Sequence, residues 1–240
     1  MSEQRMSSNH RKLNILRAVR HLFCKKGLNV TTRELSEAAG VSEALIFKHF
    51  TNKEGVYKAL LENSCQAHES VGNDLIELEP STEVLVFANY LMIYIVCQGF
   101  NTPDDEFVLG PEECMGLILQ SLQTDGEVAR QLFDQGLGPW VPHYVRSMEA
   151  AIASGEMIPN SAPLESLVWM SHHALLGMKM TRHSHPNAFM AKEMNSDQFM
   201  DHSLAFLSQG MGVRHDVMTR IVRSNEFKYF KEKLKKESKK

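Results

Sequence analysis

Little in this sequence breaks a helix, and little in it builds a sheet. Its 240 residues hold only 14 glycines and 8 prolines, which fall between apolar periodic runs, and alternating β-branched stretches are nearly absent. Four cysteines, Cys24, Cys65, Cys97 and Cys114, are scattered with no CxxC spacing. They read as small core hydrophobes of a reduced cytosol; a redox sensor would need paired spacing. Long apolar runs are also missing. The longest, around Val84 to Val96, is interrupted by Asn89 and is too short for a hydrocarbon layer of about 30 Å. The opening MSEQRMSSNHRK has no apolar signal core, so a soluble, cytoplasmic protein with no membrane partner is expected. No Gly-rich phosphate loop, nucleophile elbow or HExxH occurs, which argues against an enzyme and leaves no cofactor expected.

Leu, Met, Ala, Glu and Lys dominate what is there, and the fold class they imply is all-α. The chain is long enough for two helical domains or one large one. Net charge is only −3, yet it is unevenly spread. Through Leu60 there are 11 Lys/Arg against 5 Asp/Glu; from Leu61 to Val222 there are 7 against 21; the last 18 residues carry 8 against 3. A basic head suits a polyanion, because each cation that meets a phosphate releases condensed counterions. The acidic middle reads as a solvated surface.

The most informative stretch is Thr31 to Glu54, TTRELSEAAGVSEALIFKHFTNKE. Thr31 and Glu34 have capping-box spacing, so a helix starts there. Leu35, Ala38 and Ala39 continue it, and Gly40 supplies the left-handed end. Ser42 caps a second helix, roughly Glu43 to Phe50, with Ile46 and Phe50 on one face. Thr51 and Glu54 repeat the capping spacing and open a third helix. Helix, tight turn, helix is either an αα-hairpin in a larger helical protein or a unit whose second helix enters a major groove about 12 Å wide.

Residues Ile15 to Lys58 resemble the N-terminal domain of the tetracycline-repressor (TetR/AcrR) family of bacterial transcriptional regulators. The markers are an ILxA-type opening, Leu22-Phe23, Gly27, Thr32, Ala39-Gly40-Val41-Ser42, Phe47-x-x-Phe50 and Lys53-Glu54. They cover about the first quarter of the chain. The resemblance implies a three-helix DNA-binding domain, 1–53, followed by a larger helical ligand-binding and dimerisation domain, 54–225, with a basic tail, 226–240. It implies a homodimer on a double-stranded operator, a repressor role, and release by a small hydrophobic or amphipathic effector. The alternative is an architectural or partner-responsive DNA-binding regulator with no small-molecule ligand.

Within the head, Thr31, Thr32 and Arg33 stand at a helix N-terminus suited to a phosphate. In the resembled family that position touches the DNA backbone, and an arginine matching Arg33 can reach a guanine. Ser42, Glu43, Ala44 and Leu45 begin the second helix near base edges, while Lys48, His49 and Lys53 are placed for phosphates. Two departures from the family pattern stand out. Phe47 replaces the usual Tyr and loses a phosphate-binding hydroxyl, and Leu45 replaces a small polar residue and could meet a thymine methyl.

Beyond the head, one connector helix is expected from Thr51 to about Leu78, followed by helices after Ser81 or Thr82, at Pro111, at Asp125 and at Pro163. The helix from Asp125 should divide near Gly138, Pro139 and Pro142. The helix from Pro163 and another from Ser196 to Gln209 occupy the place where the resembled family dimerises; ordinary core packing is the alternative. A final helix from Asp216 should grade into a solvated, frayed, Lys-rich tail. Phe87, Tyr90, Tyr94, Met115, Trp140, His143, Tyr144 and Met148 form a soft apolar stripe. It is either core or the lining of an effector pocket between the connector and the three helices after it. His172-His173 and His183-x-His185 read as packed or solvated histidines, and no metal is expected. The acidic stretches Asp104-Asp105-Glu106 and Glu112-Glu113 read as solvated loop.

Overall fold

The computed structural model describes residues 8–66, 74–98, 111–184 and 194–237. Among them the chain order is α1 (Ser8–Lys26), α2 (Thr32–Ala39), α3 (Glu43–His49), α4 (Lys53–Gln66), α5 (Thr82–Cys97) and α6 (Pro111–Leu122). It continues with α7 (Glu127–Gly136), α8 (Val141–Ala153), α9 (Leu164–Ser184), α10 (Ser196–Met211), α11 (His215–Arg223) and α12 (Asn225–Glu237). Gly27–Asn29 and Gly138–Trp140 are short 3-10 turns. No strand occurs among the described residues. None of their helices is long and apolar enough to cross a membrane.

The chain forms two compact units, Met1–Ala67 with Thr102–Gln135, and His68–Asn101 with Gly136–Lys240. These are not the contiguous blocks expected at residue 53, because α6 and α7 pack into the first unit. In that unit, Ile15, Leu16, Val19 and Phe23 put one face of α1 into the core beside Leu35, Ile46, Phe50, Val56 and Leu60. Phe23 stacks on Tyr57 with ring centres 5.0 Å apart. Helix α6 adds Leu117 and lies so close to α1 that a Cβ on Gly116 would sit 3.2 Å from the Cys24 carbonyl oxygen. Arg20 pairs with Glu113 at 2.8 Å across the same contact, and Gln120 donates to the Lys25 carbonyl at 3.0 Å.

The second unit is built around α5. This helix is apolar nearly all round and buries Leu85, Val86, Tyr90, Leu91 and Ile93, the pattern of a helix surrounded by others. Of the two candidates, Ser81 and Thr82, it is Ser81 that caps it. It packs against α8, α9, α10 and α11. A clasp joins the chain after α8 to the turn between α10 and α11: Ile158 N donates to Gly212 O at 2.8 Å and Arg214 N to Glu156 O at 3.0 Å. Gly212 has φ +114°, and a Cβ there would be 2.4 Å from the Ile158 oxygen.

Several expected elements differ. Asn52, not Thr51, caps α4: its Oδ1 accepts from Gly55 N at 2.7 Å, and the amide side chain outcompetes a hydroxyl one residue earlier. The described part of the connector runs from Lys53 to Gln66; residues 67–73 lie outside the described residues. So do 99–110, which hold Asp104, Asp105 and Glu106, and His185. The side chains of Glu112 and His183 are likewise undescribed. The final helix is two helices, α11 and α12, broken at Ser224, whose hydroxyl accepts from Phe227 N at 3.0 Å. Nor is α12 a frayed tail. Phe227 and Leu234 are buried in the core of the second unit, and Lys231 and Lys235 pair with Asp201 and Asp197.

Candidate nucleic-acid interface

The α2–turn–α3 element is fixed by local chemistry at each joint. Thr31 Oγ1 accepts from Glu34 N at 3.2 Å, and Thr31 N donates to Glu34 Oε2 at 2.9 Å, a complete capping box. Lys26 pairs with the same carboxylate. That hydrogen bond, followed by those from the Thr31 backbone and hydroxyl, holds the Glu34 pKa down to about 2. Gly40 closes α2 at φ +63°, where a Cβ is strained. Ser42 Oγ accepts from Leu45 N at 3.2 Å and starts α3.

Ile46 and Phe50 are buried and root α3 in the core. The other side of the helix is therefore left outward. Ser42, Glu43, Ala44 and Lys48 are exposed, and Leu45, Phe47 and His49 are half-buried. Phe47 packs against the core of the unit, so its ring is partly structural. At the start of α2, Thr31 and Arg33 are exposed and Thr32 is half-buried. Arg33 Nε donates to Glu37 Oε1 at 2.8 Å, and this bond raises the Arg33 pKa. Lys53 donates its ammonium to the Leu28 carbonyl, which pins α4 to the turn after α1. These partners, Lys26, Glu37 and Leu28, were not singled out from sequence; Arg33 and Glu37, four apart on one helix, were the pair that spacing could have found.

The profile of the family described as "Bacterial regulatory proteins, tetR family" matches residues 15–60, which span this whole element. Over these residues the chain is similar to the tetR family. A 58-residue segment is 45% identical to the uncharacterized HTH-type transcriptional regulator YvkB of Bacillus subtilis (strain 168), covering 24% of this chain and 31% of that protein. The chain thus matches about a third of that relative's length. Solved structures extend the likeness in fold. AibR in complex with isovaleryl coenzyme A and operator DNA has a TM-score of 0.57 at 17% identity, over 82% of this chain and 97% of that one. FadR of Bacillus subtilis with stearoyl-CoA has a TM-score of 0.58 at 16% identity, over 82% and 98%.

The eight residues expected to line a pocket are divided. Met115 is buried on α6 in the first unit. Tyr90, Tyr94, Tyr144 and Met148 lie in the core of the second, with Phe87 and Trp140 packed against them. Burial pushes the Tyr144 hydroxyl's pKa up. His143 is half-buried and shares a 2.6 Å hydrogen bond with Arg146; burial and that cation lower its pKa. The partners that sequence missed come from α12: Phe230 stacks on Phe87 at 4.9 Å, and Phe227 meets Tyr90 edge-on at 5.3 Å.

Proposed function

We propose that this chain regulates transcription as a homodimer whose α3 helices enter successive major grooves of a pseudo-palindromic operator, acting as a repressor that a small apolar or amphipathic effector releases. The observation that carries the DNA-binding part is the outward side of α3, held by buried Ile46 and Phe50 and capped by Ser42. Thr31, Thr32, Arg33, Ser42, Glu43, Ala44, Leu45, Phe47, Lys48 and His49 form the contact surface, and Lys53 braces it. One short helix makes a small interface, so two half-sites about 34 Å apart are needed.

Support for the dimer comes from α9 and α10. Met170, His173, Ala174 and Gly177 follow one exposed side of α9, while His202, Phe206 and Gly210 follow one of α10. Met170 is 63% exposed and Phe206 65%, large for isolated apolar side chains on neighbouring elements. Support for an effector comes from the coenzyme A thioesters bound by the two relatives of like fold. The fully buried Tyr90 and Met148 favour a second possibility, a partner-responsive regulator with a closed body.

Selection of duplexes from a random library, followed by footprinting, tests the function. Two symmetric half-sites about one helical turn apart are expected; an asymmetric single site would remove the dimeric reading.

A further inference from the structure

Tyr90 is fully buried, and its hydroxyl has no hydrogen-bond partner among the described residues. A buried phenol in that state calls for an explanation. Its ring lies under α12, with Lys231 Nζ 5.1 Å from the ring centre. Burial raises the pKa of the hydroxyl, and the nearby Asp201 and Asp197 carboxylates push the same way. Those two carboxylates tie α10 to α12: Lys231 pairs with Asp201 at 2.6 Å and Lys235 with Asp197 at 2.9 Å.

Beside these pairs a cleft of about 510 Å³ opens between α10, α11 and α12, within the range of small-molecule sites. Its apolar side is Leu204, Met218, Val222 and Phe227, and its rim carries Lys228, Lys231 and Lys235 against Asp201 and Glu232. Lys228 is exposed and has no carboxylate partner among the described residues. The Lys231–Asp201 pair is unequal. The lysine side chain is 22% exposed and the aspartate 51%. An incoming cation would have to evict the less exposed partner, Lys231, from over the Tyr90 ring. An incoming anion need only release the more exposed aspartate to water, and the Lys231 ammonium keeps a counter-charge.

We propose that this cleft binds a small amphipathic anion, an aliphatic chain ending in a carboxylate, with Lys231 and Lys228 on its head and Leu204, Met218, Val222 and Phe227 along its chain. The head takes the place of Asp201 at Lys231, whose ammonium stays over the Tyr90 ring. The lining of the cleft shares none of the eight residues considered above. It concerns binding alone, so it stands or falls independently of operator release.

Isothermal titration of the full chain with decanoate, and in parallel with decyltrimethylammonium, tests this. Decanoate should bind one site per chain and the cation should not. Lys228→Met combined with Lys231→Met should weaken decanoate at least about tenfold, Asp201→Asn should tighten it, and Trp140→Ala should leave it unchanged. Circular dichroism checks that each variant folds; if the double variant does not, Asp201→Asn decides alone. Absence of decanoate binding, equal binding of the cation, binding that survives both lysine substitutions, or an Asp201→Asn variant no tighter than the parent would each overturn the proposal.

Discussion

Arg33 Nε donates to Glu37 Oε1 at 2.8 Å across one turn of α2, with the two side chains 82% and 62% exposed. The bond uses the inner nitrogen of the guanidinium, and the two terminal amino groups make no hydrogen bond among the described residues. Those are the donors a guanine edge would take. Arg33→Ala is therefore expected to weaken operator binding and to relax preference at one base pair by about 1–3 kcal/mol. A binding-selection assay reads both effects; an unchanged base preference would remove Arg33 from the recognition set.

The α4 cap gives a prediction that separates two neighbouring residues. Asn52 accepts from Gly55 N, so Asn52→Ala should cost about 0.5–2 kcal/mol of stability. Thr51→Ala, at an exposed position, should change it by less than about 0.5 kcal/mol. Urea denaturation of the two variants compares them directly, and equal losses would return the cap to Thr51.

Gly212 has no room for a methyl group. With φ +114° and the Ile158 oxygen 2.4 Å from any Cβ, Gly212→Ala combines backbone strain with a backbone clash. A loss of more than about 3 kcal/mol is expected. Thermal denaturation should show a markedly lower midpoint for this variant, whereas Gly136→Ala, with nothing within 4 Å of its Cβ, should be neutral or stabilising.

His172 sets a pH dependence. It is 8% exposed, and burial followed by the neighbouring His173 lowers its pKa to about 4. Because the folded pKa lies below the unfolded value, about 6.5, the unfolded chain takes up the proton first. The stability linked to neutral His172 is complete above pH ~6.5 and is lost as pH falls toward 4, by roughly 2–3 kcal/mol in all. Unfolding free energies measured across that range should decline, and His172→Phe should flatten the decline. An unaltered slope in the variant would show that another group is responsible.

Phe206 is 65% exposed on α10. In the proposed dimer it is covered by the second copy, so Phe206→Glu should yield monomers by light scattering with little change in helicity. A parent protein that is already monomeric would contradict the dimer.

Local chemistry was legible where one residue type has one physical job. Thr31 with Glu34, Gly40, Ser42 and Pro111 each mark a helix end that the structure contains. Where two residues could do the job, sequence chose the wrong one, as at Thr51 and Asn52. The C-terminal segment was misread because its lysines suggest solvent, although Phe227, Phe230 and Leu234 recur at helical spacing and signal a packed face. Long-range partners were out of reach. Periodicity says that Tyr90 faces a core but not that Phe227 is across from it, and nothing local indicates that Gly116 must admit the backbone of Cys24.

The central claim is that α3, rooted by Ile46 and Phe50, lies against duplex DNA. Fluorescence anisotropy of a selected duplex, titrated with the full chain at increasing salt, tests it most directly. Binding should weaken along a linear log–log plot, and Lys48→Ala should lower its slope by about one. Salt-independent retention, or no binding to any double-stranded sequence, would contradict it.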